Sequence, residues 1–330
     1  MQIFNFILLS FNFIIYPPDS TIAFDSSFDI KKEIISVSHY ITKEKMNFVY
    51  NTEIYQLGCD TVPNVKFWRN IMKLHKDSAL FNTPANRNVL SKEHIQNWER
   101  KDLASKSCYK DSLRNWYCLD DSARILLTNG KSFFYDFEKA SANFNQGIND
   151  FIANDVDPWY AQAILMIESP NKLQKSNVGA YGSFQLMKDV ARLFGLKVNN
   201  NVDERANFDR SAYAASSLIK KICIPLTKQI LDSLGIRNYK ENELWFRLLV
   251  MHSYHAGAGN VKKALFSFRP TVGNINLIYT LWHIETKKFK SASQNYSQLI
   301  LAAMLEVNEK FNLAPKQLDV QNNYKKIEIR

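Results

Sequence analysis

The chain of 330 residues is long enough for one large catalytic domain with an accessory region, and it is too short for many domains. Hydrophobic residues make up 46% and aromatic residues 13%, which excludes an intrinsically disordered protein. The 42 Lys and Arg residues outnumber the 32 acidic ones, and the net charge of +10 favours polyanionic surroundings, but no dense basic run interleaved with aromatic residues predicts a nucleic-acid partner.

The N-terminus is apolar from Ile3 to Tyr16, interrupted only by Asn and Ser, and is followed by two prolines and a small-residue stretch ending at Ala23. This pattern predicts a signal peptide over residues 1–23 and therefore an exported protein. The start of the run lacks Lys and Arg, so a retained anchor or a buried N-terminal strand or helix remains an alternative. No later stretch is apolar for the roughly 20 residues that a membrane span needs.

Residues 24–134 are polar and irregular, with short amphipathic segments at 67–74 and 95–103, and we interpret them as a mainly helical accessory region without internal repeats. The even number of cysteines permits two disulfides in an exported chain, and four free thiols are an equal alternative. Their spacing resembles no zinc motif. The cysteines are Cys59, Cys108, Cys118 and Cys223, of which Cys108 and Cys118 are close enough in sequence to close a small loop.

Helical periodicity strengthens over residues 135–310, which we interpret as the catalytic domain, ahead of a polar tail at 311–330. Asp157 and Pro158 favour a helix start, and Pro170 disfavours helical geometry at Ser169, so Glu168 is predicted in the last helical turn. Glycines predict the ends of three later helices. The later helices are expected at Met187–Phe194, Thr227–Leu234, Glu243–Tyr254 and Tyr296–Lys310, with stops at Gly195, Gly235 and Gly257.

Four short motifs occur in a fixed order in the second half of the chain. They are Glu168-Ser169, the Ser-x-x-Gly-Ala-x-Gly stretch from Ser176 to Gly182, Gln185-x-Met187, and Tyr-His-Ala-Gly-x-Gly-x-Val from Tyr254 to Val261. This set resembles the soluble lytic transglycosylase family, relatives of goose-type lysozyme, over roughly Asp155 to Glu306. The family usually has Asn where this chain has His255. The Asn295-Tyr296 pair resembles a late aromatic segment of some branches, and it competes with an alignment on Glu285-Thr286.

The resemblance implies a mostly α-helical, lysozyme-like fold and a peptidoglycan lytic transglycosylase of the periplasm or cell envelope. Such an enzyme cleaves the β-1,4 bond between N-acetylmuramic acid and N-acetylglucosamine and leaves 1,6-anhydro ends. One glutamate, Glu168 here, would act first as acid and then as base. No metal or organic cofactor is expected, the partner is the glycan strand, and we expect a monomer.

The residue types suit this chemistry, because breaking a glycosidic bond requires proton delivery to the leaving oxygen. Ile164, Leu165 and Ile167 flank Glu168 and predict partial desolvation, which would raise the pKa of its carboxyl group. Without the motifs, a surface glutamate would be the ordinary interpretation. An ordinary hydrolase also needs a second carboxylate; Asp189, Asp203 and Glu204 are available, and solvated faces or helix starts are their expected places.

The predicted substrate-binding residues combine polar groups for sugar hydroxyl and acetamido groups with an apolar floor and aromatic side chains. Glycines allow the backbone to approach a sugar, although an ordinary turn explains them equally, and a core position explains the methionine equally. These residues are Ser169, Ser176, Gly179, Gln185, Met187, Tyr254, His255, Asn295 and Tyr296.

His255 is the clearest departure from the family. An imidazole titrates near pH 6.5, so a cationic His255 facing Glu168 would weaken the catalytic acid in mild acid. A metal site built from His252, His255 and His283 is disfavoured, because no matched carboxylate accompanies them.

Two other functions remain compatible with the motifs. A hydrolytic muramidase on the same fold would leave reducing ends in place of anhydro ends. A peptidoglycan-binding scaffold would keep the cleft without turnover, and the presence of Glu168 argues against it.

Overall fold

A computed structural model describes residues 33–38, 45–168, 175–176 and 178–313. The chain opens with an antiparallel pair, β1 (Ile34–Ser38) and β2 (Lys45–Val49). The free edge of β2 docks on a helix of the second half: Gln162 accepts a hydrogen bond from the Val49 N–H at 2.7 Å and donates one to the Val49 carbonyl at 2.9 Å. A buried glutamine thus satisfies both backbone groups of one strand residue.

The rest of the accessory region contains a small sheet and four helices. The sheet is antiparallel with the order β4-β3-β5, and its own core consists of Phe81, Leu90, Leu113 and Ile125. The elements are α1 (Glu53–Gln56), α2 (Pro63–Lys73), β3 (Ser78–Asn82), β4 (Val89–His94), α3 (Ile95–Glu99), α4 (Leu103–Trp116) and β5 (Leu126–Asn129). The predicted predominance of helix is confirmed, while the strands were not predicted.

Ten helices of the described residues build the second half around α7, which is buried on every side from Pro158 to Ile167. A helix that is apolar all round belongs in the centre of a core. The helices are α5 (Phe137–Ser141), α6 (Phe144–Ala153), α7 (Pro158–Glu168), α8 (Lys188–Leu193), α9 (Phe208–Leu218), α10 (Ile224–Ser233), α11 (Leu244–Ala256), α12 (Ala258–Phe268), α13 (Ile275–Leu281) and α14 (Ser291–Lys310). The predicted helices are confirmed, with bounds that differ by up to five residues.

Helix α10 begins earlier than predicted, at Ile224 in place of Thr227, because α9 continues into it through a π-helical turn at Ile219–Cys223. In this turn the N–H of Ile224 bonds to the carbonyl of Ile219, five residues back. Pro225 follows directly and has no N–H to donate, so the widened turn accommodates a proline that would otherwise break the helix.

One large hydrophobic core contains residues of both halves, from Phe48 and Phe67 to Trp159 and Leu301. An ion cluster joins them as well: the fully buried Arg247 donates to Asp157 at 2.7 Å and to Glu33, just before β1, at 2.8 Å. The segment up to α2 therefore packs as part of the helical body, and only the small sheet has a separate core. A domain boundary between residues 134 and 135 remains a prediction.

All four cysteines are free thiols. Cys108 lies within α4 and Cys118 just beyond it, so the ten-residue separation corresponds to roughly 15 Å of helical rise, too far for a disulfide. The predicted signal peptide and residues 314–330 of the predicted tail lie outside the described residues. Within the described part of the chain, no helix combines the length and apolar character needed to cross a membrane.

Candidate active site

Glu168 is the last residue of α7, as predicted. It is half-buried, whereas all the preceding residues of the helix are buried. Desolvation raises the pKa of its carboxyl group to about 7, against a hydrogen bond that lowers it. That bond comes from the Tyr296 hydroxyl, which donates to Oε1 at 2.9 Å. Near neutral pH the group therefore exists in both protonation states, as an acid that later serves as base requires.

Three tyrosines lie within electrostatic reach of Glu168. Tyr254 and Tyr296 were predicted, and Tyr135 was missed because no motif marks it. Burial, together with the negative charge of Glu168, raises the pKa of all three phenols, so they remain neutral donors. The Tyr254 hydroxyl donates to the Phe184 carbonyl at 2.6 Å, which ties α11 to the loop after Ser176.

The loop from Ser176 to Met187, which we call the glycine loop, is closed by its own hydrogen bonds. Ser176 Oγ accepts from the Ala180 N–H at 2.9 Å, and Gln185 donates to the Gly182 carbonyl at 3.1 Å. Gly182 has a φ of +87°, and a Cβ there would lie 1.9 Å from the Arg205 carbonyl oxygen. Only glycine suits this position, which supports a structural reason for the Gly-Ala-x-Gly pattern.

Arg205 stabilises this loop, and its role was not predicted from the sequence. Its buried guanidinium donates to the carbonyls of Gly179 at 2.8 Å and Leu186 at 2.9 Å. It also forms a two-pronged pair with Asp203, at 2.8 Å from Nε and 2.7 Å from Nη2. A planar fork of donors is suited to holding several acceptors at once.

His255 stacks on Tyr296 with ring centroids 4.2 Å apart and an interplanar angle of 22°. It therefore contacts the residue that holds Glu168. Desolvation lowers the pKa of the imidazole to about 4. This shift opposes protonation of the ring at mildly acidic pH. The expected cation near pH 6.5 is not supported.

The remaining predicted site residues are Asn295, Met187 and Ser169. Asn295 is on α14 beside Tyr296, and its Oδ1 accepts a hydrogen bond from Arg87 of the accessory region at 2.7 Å. Met187 is exposed at the start of α8, which does not place it in the core. Ser169 lies outside the described residues.

The three other acids considered as partners have separate roles. Asp203 is paired with Arg205, Glu204 accepts from the Lys197 N–H at 2.6 Å, and the Asp189 side chain is almost fully exposed beside Arg192. Among the described residues, no carboxylate contributes to the pKa shift of Glu168. The geometry thus presents one carboxyl group, surrounded by phenols.

A cavity of about 670 Å³ lies elsewhere, between α2, α5 and the end of α14, and Tyr135 is among its lining residues. Its lining mixes lysines such as Lys73 with acids such as Glu306. The candidate active site is placed at Glu168, because its raised pKa and its hydrogen bond from Tyr296 suit proton transfer. Within the described residues, no three His, Cys, Asp or Glu side chains form a group that could hold a metal ion.

A helical domain with a half-buried glutamic acid whose pKa is near 7, beside a glycine loop, has the kind of site that lysozyme-like, glycan-cleaving enzymes use. Residues 152–270 match the family model of the transglycosylase SLT domain. The predicted resemblance and lysozyme-like helical fold are confirmed: residues 152–270 match the domain of lytic transglycosylases, which are enzymes that act on peptidoglycan. A comparison with curated proteins finds no match.

The matched range includes Glu168, the glycine loop, Arg205 and the Tyr254–Val261 motif. Tyr135, Arg87, Asn295 and Tyr296 lie outside it, although Tyr296 makes the one side-chain hydrogen bond that lowers the pKa of Glu168.

Proposed function

We propose that this protein cleaves the β-1,4 bond between N-acetylmuramic acid and N-acetylglucosamine by intramolecular transglycosylation, with Glu168 as its single acid and base. The observation that carries the proposal is the carboxyl group of Glu168, whose pKa of about 7 arises from desolvation without help from a second carboxylate.

In the first step, protonated Glu168 donates its proton to the glycosidic oxygen, and the bond to C1 of the muramic acid residue breaks as positive charge develops on the ring. Glu168 is then a carboxylate. In the second step it accepts the proton of the 6-hydroxyl group, whose oxygen bonds to C1 and closes the 1,6-anhydro ring. No water is consumed, and Glu168 regains its starting protonation state.

The surrounding residues support both steps. The Tyr296 hydroxyl stabilises the carboxylate that the first step produces, since its hydrogen bond favours the charged form. Tyr254 holds the glycine loop through the Phe184 carbonyl, and the loop lies against the Arg205 carbonyl at Gly182. We assign glycan binding to Ser176, Gly179, Gln185 and Asn295. Met187 would contact the glycan at the exposed edge of the site, and Ser169 directly follows Glu168 in the sequence.

Digestion of purified peptidoglycan, followed by mass spectrometry of the products, tests the proposal. Products lighter by one water than the reducing-end sugars, and absent with Glu168→Gln, would support it. Reducing ends from the wild type would favour the hydrolytic muramidase, and binding without cleavage would favour the scaffold. Glu204→Gln is the matched control, because this carboxylate caps a turn away from Glu168 and should leave the products unchanged.

We also propose that the chain is exported, in keeping with the apolar run from Ile3 to Tyr16 and with a substrate outside the cytoplasm. Fractionation of cells should find the protein in the envelope or periplasm with a shortened N-terminus. Full-length protein in the cytosolic fraction would contradict export without touching the chemistry of Glu168.

A further inference from the structure

The start of α14 carries Tyr296, and the accessory region holds this start from outside the matched domain. Trp68 of α2 donates to Gln298 at 3.0 Å, and Asn64 of α2 approaches the same oxygen at 3.4 Å. Asn64 also donates to the Ala85 carbonyl at 3.1 Å, in the turn at residues 83–88 that joins β3 to β4. We call this segment the sheet turn.

Arg87 is the part of the sheet turn that reaches furthest into the catalytic half. Its Nη2 donates to Asn295 Oδ1 at 2.7 Å, across 208 positions of sequence, and its Nη1 donates to Asn82 Oδ1 at 3.0 Å. The guanidinium lies over the rings of Phe67 and Trp68, with its central carbon 5.5 and 5.4 Å from their centroids.

This arginine is held in an unfavourable state. It is only 6% exposed, and among the ion pairs of the described residues none involves it. Its Nε–H is buried without a hydrogen-bond partner. Its backbone φ of +54° lies in the left-handed region, which non-glycine residues rarely adopt. A buried, unpaired charge and a strained backbone both cost stability, so stability alone does not explain why an arginine stands here.

We propose that Arg87 is a positioning residue for the reaction: it fixes Asn295 and the first turns of α14, so that Tyr296 keeps its hydroxyl group on Glu168. This inference rests on the proposed function. A guanidinium only donates hydrogen bonds, so Asn295 must present Oδ1 to it, and the orientation of the Asn295 amide is thereby fixed. Asn295 and Tyr296 are consecutive residues of one helix, so a shift of the first moves the second.

A specific consequence follows for the pH dependence. The hydrogen bond from Tyr296 lowers the pKa of Glu168, so loosening it raises that pKa. The step that needs protonated Glu168 then persists to higher pH, while the second step, which needs the carboxylate, loses its support. We expect Arg87→Met to move the basic limb of the kcat profile to higher pH and to lower kcat.

The variant that tests this is Arg87→Met, which keeps the stem packed on Phe67 and Trp68 and removes the charge. Removing the buried charge favours the folded state, while Oδ1 of Asn82 and of Asn295 lose their donor, so we expect a melting temperature close to that of the wild type, a kcat lowered by about tenfold or more, and a smaller change in KM. Arg87→Lys retains the charge and part of the hydrogen bonding, so we expect an intermediate kcat with a basic limb displaced in the same direction.

Arg69→Met is the matched control in the same interface. Arg69 joins α2 to α14 through Glu306 at 2.5 Å, more than two helical turns beyond Tyr296. We expect it to lower the melting temperature and to leave kcat and its pH profile unchanged.

Wild-type protein and Glu168→Gln are assayed in parallel on peptidoglycan. Wild-type protein that does not cleave glycan would overturn the proposed function itself. If the wild type cleaves while Arg87→Met and Arg87→Lys keep its kcat and basic limb, the positioning role is wrong. A loss of folding in Arg87→Met with a normal profile in Arg87→Lys would also overturn it, because Arg87 would then serve stability alone.

Discussion

Two buried arginines support different parts of the candidate site, and they differ in whether their charge is paired. Arg205 supports the glycine loop within the matched domain and is neutralised by the two-pronged pair with Asp203. Arg87 supports the start of α14 from the accessory region and has only neutral partners, Asn82 and Asn295. The first arrangement combines positioning with stability. In our proposal the second arrangement serves positioning at a cost in stability, so that the accessory region helps to set the geometry of the candidate site.

The largest expected effect is that of Arg205→Met. It removes the side-chain donor from the carbonyls of Gly179 and Leu186 and the opposite charge from Asp203, so we expect the free energy of unfolding to fall by about 3 kcal/mol. Chemical denaturation measures this, and activity should fall in parallel. Arg87→Met, in contrast, should lower activity without a matching loss of stability. Equal losses of stability in the two variants would contradict the distinction between Arg205 and Arg87.

Gly182→Ala should have the next largest effect. The added Cβ would meet the Arg205 carbonyl oxygen at 1.9 Å, in a backbone conformation that already disfavours alanine. We expect a loss of about 2 kcal/mol or more of unfolding free energy. Gly179→Ala is the control, because its φ is also positive but nothing lies within 4 Å of its added Cβ. If both variants unfold at the same denaturant concentration, contact with Arg205 is not what requires glycine at residue 182.

A smaller effect is expected from the buried His252, whose Nε2 lies 2.8 Å from the hydroxyl oxygen of Ser297 on α14. Desolvation, aided by neighbouring His255, lowers the pKa of His252 to about 3, so the folded protein keeps it neutral. In the unfolded chain it takes up a proton below about pH 6.5. Stability from this group is therefore complete above pH 6.5 and falls by roughly 1 kcal/mol per pH unit as the pH drops toward 3.

The measurement is denaturation of the wild type and of His252→Gln between pH 7 and 4. The difference in unfolding free energy between the two proteins should shrink as the pH falls. A constant difference would show that His252 is protonated in the folded state as readily as in the unfolded one.

The smallest expected effect is that of His255→Asn, which introduces the residue usual in the family. Because the imidazole stays neutral in mild acid, removing it should leave the acid limb of the pH–rate profile unchanged, and only the stacking on Tyr296 is lost. A flattened acid limb would show that His255 does titrate there.

Local signals explain how much of the site could be predicted from the sequence. Asp157-Pro158 and Pro170 bracket α7 and predicted Glu168 at its end, and the glycine pattern predicted a tight loop. Arg205 carries no motif, because its role arises only when the loop folds back on it. Arg87 and Tyr135 gave no signal for the same reason: the partner of Arg87 lies 208 positions away.

The strands of the accessory region were missed for a related physical reason. Each described strand has only four to six residues, and β2 is stabilised on one side by Gln162 of a distant helix. Such short segments give little periodicity, and their pairing depends on tertiary contacts. The π-helical turn before Pro225 likewise follows from packing of a long helix that the proline alone would be expected to end.

The most direct test of the central claim is digestion of purified peptidoglycan by the wild-type protein in water enriched in a heavy oxygen isotope. If Glu168 alone directs attack by the 6-hydroxyl group, the new muramic acid ends are 1,6-anhydro sugars and contain no oxygen from the solvent. Reducing ends that carry the heavy isotope would show that water is the nucleophile and would contradict the account.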